Sequence, residues 1–282
     1  MYTQGESERL VGEAFKDHRQ QVIIASKFGY VLPRQKQFVN RIKPILKPVV
    51  ARLGLKSHRV HAGLRGTVSD QDFSPAYIRA SIEASLRRLQ TDYIDVYQLH
   101  DPPLDVIKRG DFVEALERLQ RDGKIRCWGV AGQDPSDAVT ALQYASIGSI
   151  QVGLSVLEQA ALDGAIPTAT QRGVGIIARQ VFASGLLTRP VDRLDLADID
   201  SEPVVAQRKK DQLAEYSAIV QRVGRERSEM ALHFSLSHPE VSVVLLGASR
   251  SDQLDTALRQ LESHPLSDEE RALLIGCRRS GR

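Results

Sequence analysis

The sequence predicts an α/β fold with a parallel sheet covered by helices, and three observations predict it. The first is the run Tyr93-Ile94-Asp95-Val96-Tyr97-Gln98-Leu99-His100. It is rich in strand formers and stops at Asp101-Pro102-Pro103, where ladder pairing cannot continue. The second is the helical stretch on either side of that run. The third is recurrence, because strand and helix patterns alternate along the rest of the chain. Sheets of this kind put their chemistry at the carboxyl ends of strands, and His100 stands at one. No G-x-G-x-x-G run is present, which argues against a Rossmann nucleotide fold.

Each element follows from its residues. A helix is expected over 8–15, with Leu10, Val11 and Ala14 as its apolar side. A strand over 22–26 ends at Lys27. A basic insertion over 31–69 follows, with nine Lys or Arg and no Asp or Glu. Phe38, Ile42, Ile45, Val49 and Leu53 keep helical spacing there, interrupted by Pro44 and Pro48. Ser74 reads as an N-cap and Pro75 as a first helical residue, ahead of apolar Ile78, Ile82, Leu86 and Leu89. Asp111 reads as the cap of a helix over 112–121 that stops at Gly123. Later strands are expected over 125–131, 150–154, 175–179 and 241–246, which makes six visible strands. Asp134-Pro135 opens one helix, others run over 211–223 and 228–237, and Ser267 with Glu270 forms a capping box for the last.

Composition narrows the class. At 282 residues the chain reads as one domain over 1–282, although its length would also permit two. Its 42% hydrophobic and 26% charged residues are ordinary for a soluble globular protein. Cys127 and Cys277 have neither metal-ligand spacing nor the look of a disulfide framework, and Cys127 reads as a small buried apolar residue. No metal site is expected. No apolar run reaches membrane-spanning length and the first residues are no signal peptide, so a reducing cytoplasmic setting is expected. A net charge of +3 is too small to argue for nucleic acid.

Five pieces of the chain, in order, resemble the aldo-keto reductases. They are Tyr2 with Gly5-Glu6-Ser7-Glu8, Ile23-Ile24-Ala25-Ser26-Lys27, the strand ending in His100, Gly123-Lys124-Ile125-Arg126, and Val243-Val244-Leu245-Leu246-Gly247-Ala248-Ser249. The resemblance covers essentially the whole chain. It implies a TIM-type (β/α)8 barrel that uses NADPH to reduce an aldehyde or ketone, with a small-molecule carbonyl as partner. In that family a strand, a helix and a second strand carrying a catalytic Asp precede the tyrosine. The chain therefore reads as N-terminally short by about the first two strands and one helix, through a misplaced start or a real truncation. A real truncation would expose sheet edges and call for an oligomer.

The resemblance also assigns residues. Tyr2 is the general acid, Lys27 the cation that lowers its pKa from about 10, and His100 orients the carbonyl. Gln151, at the end of its strand, would hold the nicotinamide carboxamide, and Arg179 would stack where the family usually has an aromatic. Phe182, Ser184, Gly185 and Leu186 resemble the loop around the pyrophosphate. Gly247, Ser249, Arg250 and Gln253 match the segment at the adenosine 2′-phosphate, with Arg250 favouring NADPH. The usual Ser-Asn pair falls on Ala131 and Gly132, and the usual Glu-Asn pair on Thr256 and Ala257. The basic insertion reads as a lid over the barrel mouth rather than a membrane surface. Two rivals stay open: a non-catalytic cofactor-binding or structural barrel, and a barrel that presents the insertion to an anionic partner.

Overall fold

The computed structural model describes residues 5–31 and 71–277. Tyr2 and, Val31 apart, the basic insertion lie outside the described residues. Six strands form one parallel sheet in sequence order: β1 (Ala25–Phe28), β2 (Ile94–His100), β3 (Ile125–Ala131), β4 (Ser149–Gly153), β5 (Gly175–Arg179) and β6 (Val243–Val244). The chain divides into two compact units, with the boundary inside β3 after Trp128.

The first unit holds β1, β2 and the helices α1 (Glu6–Phe15), α2 (Pro75–Leu89), α3 (Leu104–Arg109) and α4 (Val113–Arg121). Its best-signalled element forms as expected. The Ser74 hydroxyl accepts from the Tyr77 amide at 3.3 Å, Pro75 starts α2, and Ile78, Ile82, Leu86 and Leu89 are buried. β1 pairs with β2 from Ala25 opposite Val96 to Phe28 opposite Leu99. There the Tyr97 ring stacks on Phe28 at 4.6 Å, and its hydroxyl donates to Ser81 at 3.0 Å.

Three expectations for this unit are corrected. Helix α1 buries Gly12, while Leu10 and Ala14 are exposed and Val11 is half-buried. A Cβ on Gly12 would lie 2.6 Å from the Leu89 backbone, so α1 meets α2 through bare backbone rather than an apolar stripe. Strand β1 runs Ala25–Phe28, which puts Lys27 inside it and not at its end. Asp111 caps no helix. Its carboxylate sits 3.3 Å from Arg109, and the residue before α4 is Phe112, with no side-chain bond. The short α3, which the sequence did not announce, ends at Gly110 with φ +71°.

The second unit holds β4, β5, β6 and the end of β3, with α5 (Pro135–Ala141), α6 (Ala165–Gln171), α7 (Pro203–Val223), α8 (Arg227–Leu236), α9 (Ser251–Leu261) and α10 (Asp268–Gly276). Asp134 accepts from the Ser136 amide at 2.8 Å and so starts α5, as read. The Ser267–Glu270 capping box is present, with bonds of 2.7 and 3.1 Å. Helix α7 starts at Pro203, well before the expected 211, because a proline at the first helical position costs no backbone bond. The strand expected over 241–246 shortens to Val243–Val244, although the Ser242 and Leu245 amides still donate to the carbonyls of Ile176 and Ala178.

Both cysteines are free. Cys127 is half-buried rather than buried, since the residues of β3 alternate in exposure at its start. Cys277 is buried, and burial first and Glu215 second push its thiol up to about 12. Among the described residues no helix is long and apolar enough to cross a membrane. Nor does any group of three or more His, Cys, Asp or Glu among them suit a metal ion.

Candidate functional site

His100 is the last residue of β2, and the chain turns sharply behind it. Asp101 takes φ +49°, a left-handed conformation in which a short polar side chain is tolerated. The Asp101 carboxylate lies 3.7 Å from His100 Nε2 and accepts from the Tyr30 hydroxyl at 3.2 Å. The Tyr30 ring meets the imidazole edge-on, with centroids 4.8 Å apart. The Gln71 amide closes the group by donating to the carbonyls of His100 and Asp101 at 3.2 and 2.9 Å. Tyr30 and Gln71 themselves form an antiparallel bridge. The His100 and Asp101 side chains are 16% and 21% exposed.

Sequence reasoning missed Tyr30, Gln71 and Asp101. For Asp101 the signal was adjacent: a carboxylate directly after a strand-end histidine can reach its ring. Tyr30 and Gln71 had no such signal, because the contact spans forty residues of intervening sequence and is made by tertiary folding.

Lys27 is half-buried on β1, opposite Gln98. It lines a cavity of about 120 Å³ together with Ser7, Glu8, Ser26 and Leu89. Glu8 is fixed there, accepting from the Ser26 hydroxyl at 2.5 Å and the Arg88 guanidinium at 2.6 Å. The Gly5-Glu6-Ser7-Glu8 motif thus does structural work. Its Glu8 ties α1 to β1 and α2, and Gly5, at φ +92°, gives room to the Arg88 side chain, which a Cβ would meet at 2.7 Å.

The second unit contains a cavity of about 750 Å³. Phe182, Ser184, Gly185, Gly247, Ser249, Arg250 and Gln253 all line it, seven of the ten residues that the resemblance assigned to a nucleotide. Its floor is apolar, where Val181, Leu232 and Ala257 form a buried cluster against which Phe182, Val244 and Leu246 pack. Ala257, where the family has a polar residue, belongs to that floor. The loop before it turns through three consecutive left-handed residues, Ala183, Ser184 and Gly185, at φ +45°, +56° and +89°. At the other wall Gln253 Oε1 accepts from the Ser249 amide (2.9 Å), the Ser249 hydroxyl (3.2 Å) and the Arg250 amide (3.3 Å). Arg250 makes a two-pronged ion pair with Asp252, at 2.8 and 2.9 Å. That bond lowers the Asp252 carboxyl and raises the Arg250 guanidinium from their ordinary values.

The donor set fits a dinucleotide. It offers an apolar floor for a base, hydroxyls on Ser184, Thr188 and Ser249, and a guanidinium for an anion. Three assigned residues lie elsewhere. Leu186 is buried. Gln151 is in the middle of β4, not at its end, and 4% exposed. Arg179 ends β5, where its guanidinium donates to the Gly132 carbonyl at 2.9 Å.

Comparison with known proteins extends this picture. The sequence profile of the aldo/keto reductase family matches residues 1–278. The chain is 26% identical over 273 residues to the oxidoreductase YqkF of Bacillus subtilis (strain 168), covering 96% of this chain and 78% of that protein. It is 27% identical over 282 residues to the NADH-specific methylglyoxal reductase of Escherichia coli (strain K12), covering 97% and 79%. Among solved structures it resembles the holo form of the aldo-keto reductase AKR11C1 from Bacillus halodurans. The TM-score is 0.72, with 28% identity over 98% of this chain and 80% of that one.

Proposed function

Because this chain belongs to the aldo/keto reductase family, with its TIM-barrel α/β fold, we propose that it reduces an aldehyde or ketone to an alcohol with NADPH as hydride donor. The observation that supports the reading is the cavity of about 750 Å³, lined by seven of the ten residues that the resemblance assigned to the dinucleotide. A bound nicotinamide would supply the hydride. The chain's own residues would supply the rest.

In this reading Tyr2 gives the proton to the developing alkoxide. A phenol with its usual pKa of about 10 is a poor acid near neutrality, and the ammonium of Lys27 makes it a usable one by stabilising the phenolate. His100 donates a hydrogen bond to the carbonyl oxygen. Its orientation is supported by Asp101 and by the ring of Tyr30, which limit how the imidazole can turn. Arg250 supplies the guanidinium for a 2′-phosphate, and Arg179 the planar group beneath the nicotinamide.

Turnover and binding separate the roles. Tyr2→Phe is expected to cut kcat by at least about 100-fold, the usual worth of general acid catalysis, while NADPH still binds as in the parent protein. Isothermal titration with NADPH alongside a steady-state assay on a panel of small aldehydes makes the measurement. Unchanged turnover in Tyr2→Phe would remove Tyr2 from the mechanism. Nucleotide binding with no turnover of any carbonyl by the parent chain would favour the non-catalytic barrel instead.

A further inference from the structure

We propose that Asp252 sets the nucleotide preference of this protein, holding Arg250 so that NADH is accepted nearly as well as NADPH. The inference rests on the reading of the large cavity as the nucleotide site and adds a residue that the reading does not contain. Arg250, Asp252, Ser249 and Gln253 all line that cavity.

The Ser249 and Arg250 donors that would meet a 2′-phosphate there already have acceptors in the first turn of α9. The Arg250 guanidinium is held by both oxygens of Asp252. The Ser249 amide and hydroxyl and the Arg250 amide are held by Gln253 Oε1. Asp252 takes two of the five guanidinium N–H donors, so a phosphate dianion on the others binds with that carboxylate beside it, where like charges repel. A ribose 2′-hydroxyl meets the opposite situation, since it can donate to the carboxylate without displacing anything charged. Asp252 would also favour the start of α9 by its charge alone, as any acid in a first helical turn does. That role does not require the two-pronged bond to the one guanidinium in this wall of the cavity. Both side chains are about two-thirds exposed, and exposed ion pairs are weak, so the effect is a graded preference and no absolute choice.

The test is equilibrium binding by isothermal titration of NADPH and NADH to the full chain, with no substrate present. Wild-type dissociation constants for the two are expected to lie within about tenfold of each other. Asp252→Asn and Asp252→Ser, the second keeping a good helix-start residue, should each tighten NADPH by about five- to tenfold and change NADH by less than about twofold. In an Arg250→Ala background the same substitutions should give a smaller gain for NADPH. The proposal is overturned if both Asp252 variants shift the two nucleotides equally, or shift neither. It is also overturned by a wild-type preference for NADPH above about 100-fold that neither variant increases. If the wild-type chain binds neither nucleotide, the nucleotide reading of the cavity falls, and this inference with it.

Discussion

Asp95 is a carboxylate inside a strand, 4% exposed, in the run from which the fold was first read. Its Oδ2 accepts from Arg19 at 2.8 Å and from the Ile24 amide at 2.9 Å, and Arg126 lies 2.8 Å from Oδ1 in an ion pair without hydrogen-bond alignment. Tyr93 is flanked by the same two arginines, whose guanidinium carbons stand 3.9 and 4.5 Å from its ring centroid. A buried ion pair is weak evidence of net stability, but removing one partner leaves the other uncompensated. Asp95→Ala is therefore expected to cost about 3–5 kcal/mol, seen as a large drop in the urea midpoint. A loss under about 1 kcal/mol would show that Arg19 finds water instead. This residue sits at the amino end of its strand, away from His100, and that placement reads as stability rather than chemistry. The sequence showed an Asp in an apolar run, but not the arginine 76 positions away that satisfies it.

Elements with local signals were legible, and those without were not. Helix α2 carries its cap, its proline and its apolar stripe within one short segment, so nothing distant was needed to find it. Helix α1 misled because an amphipathic pattern was present but the buried position was Gly12, chosen by the close approach of Leu89. Two effects compete at that residue. Helix propensity alone favours Gly12→Ala by about 1 kcal/mol, whereas the overlap of a Cβ with main-chain atoms costs about 1–3 kcal/mol. Backbone cannot swing aside as a side chain can, so the overlap should win and the urea midpoint should fall. A rise in the midpoint would mean that α1 can shift outward at little cost. Gly129 follows the same logic on β3, where a Cβ would overlap Ser149 on β4.

At the scale of the whole molecule, buried acids with raised pKa values predict how stability depends on pH. Cys277 is held up to about 12 from an ordinary 9.0, and burial likewise pushes the phenols of Tyr97 and Tyr216 well above their usual 10.0. Above about pH 9 the unfolded chain loses protons that the folded one keeps, so fewer protons are bound when unfolded and stability falls as pH rises. Each group contributes up to about 1.4 kcal/mol per pH unit within its own window. Urea midpoints taken between about pH 8 and pH 11 should decline steadily, and Cys277→Ser should make the early part of that decline shallower. A flat profile to about pH 11 would show that these groups ionise in the folded protein at their ordinary values.

The sequence by itself determined the alternation of strands and helices and the caps of α2, α5 and α10. These features are encoded within a few residues of where they act, through backbone propensity, capping and spacing. Only the tertiary structure decided that Tyr30 and Gln71 stand beside His100, that Arg19 neutralises Asp95, and that Gly12 is the contact of α1. It also decided that Arg250 is engaged by Asp252, although the two are neighbours in sequence. A sequence records which charges are present, but a partner is chosen by the distances that folding sets, and electrostatic and packing energies depend steeply on those distances.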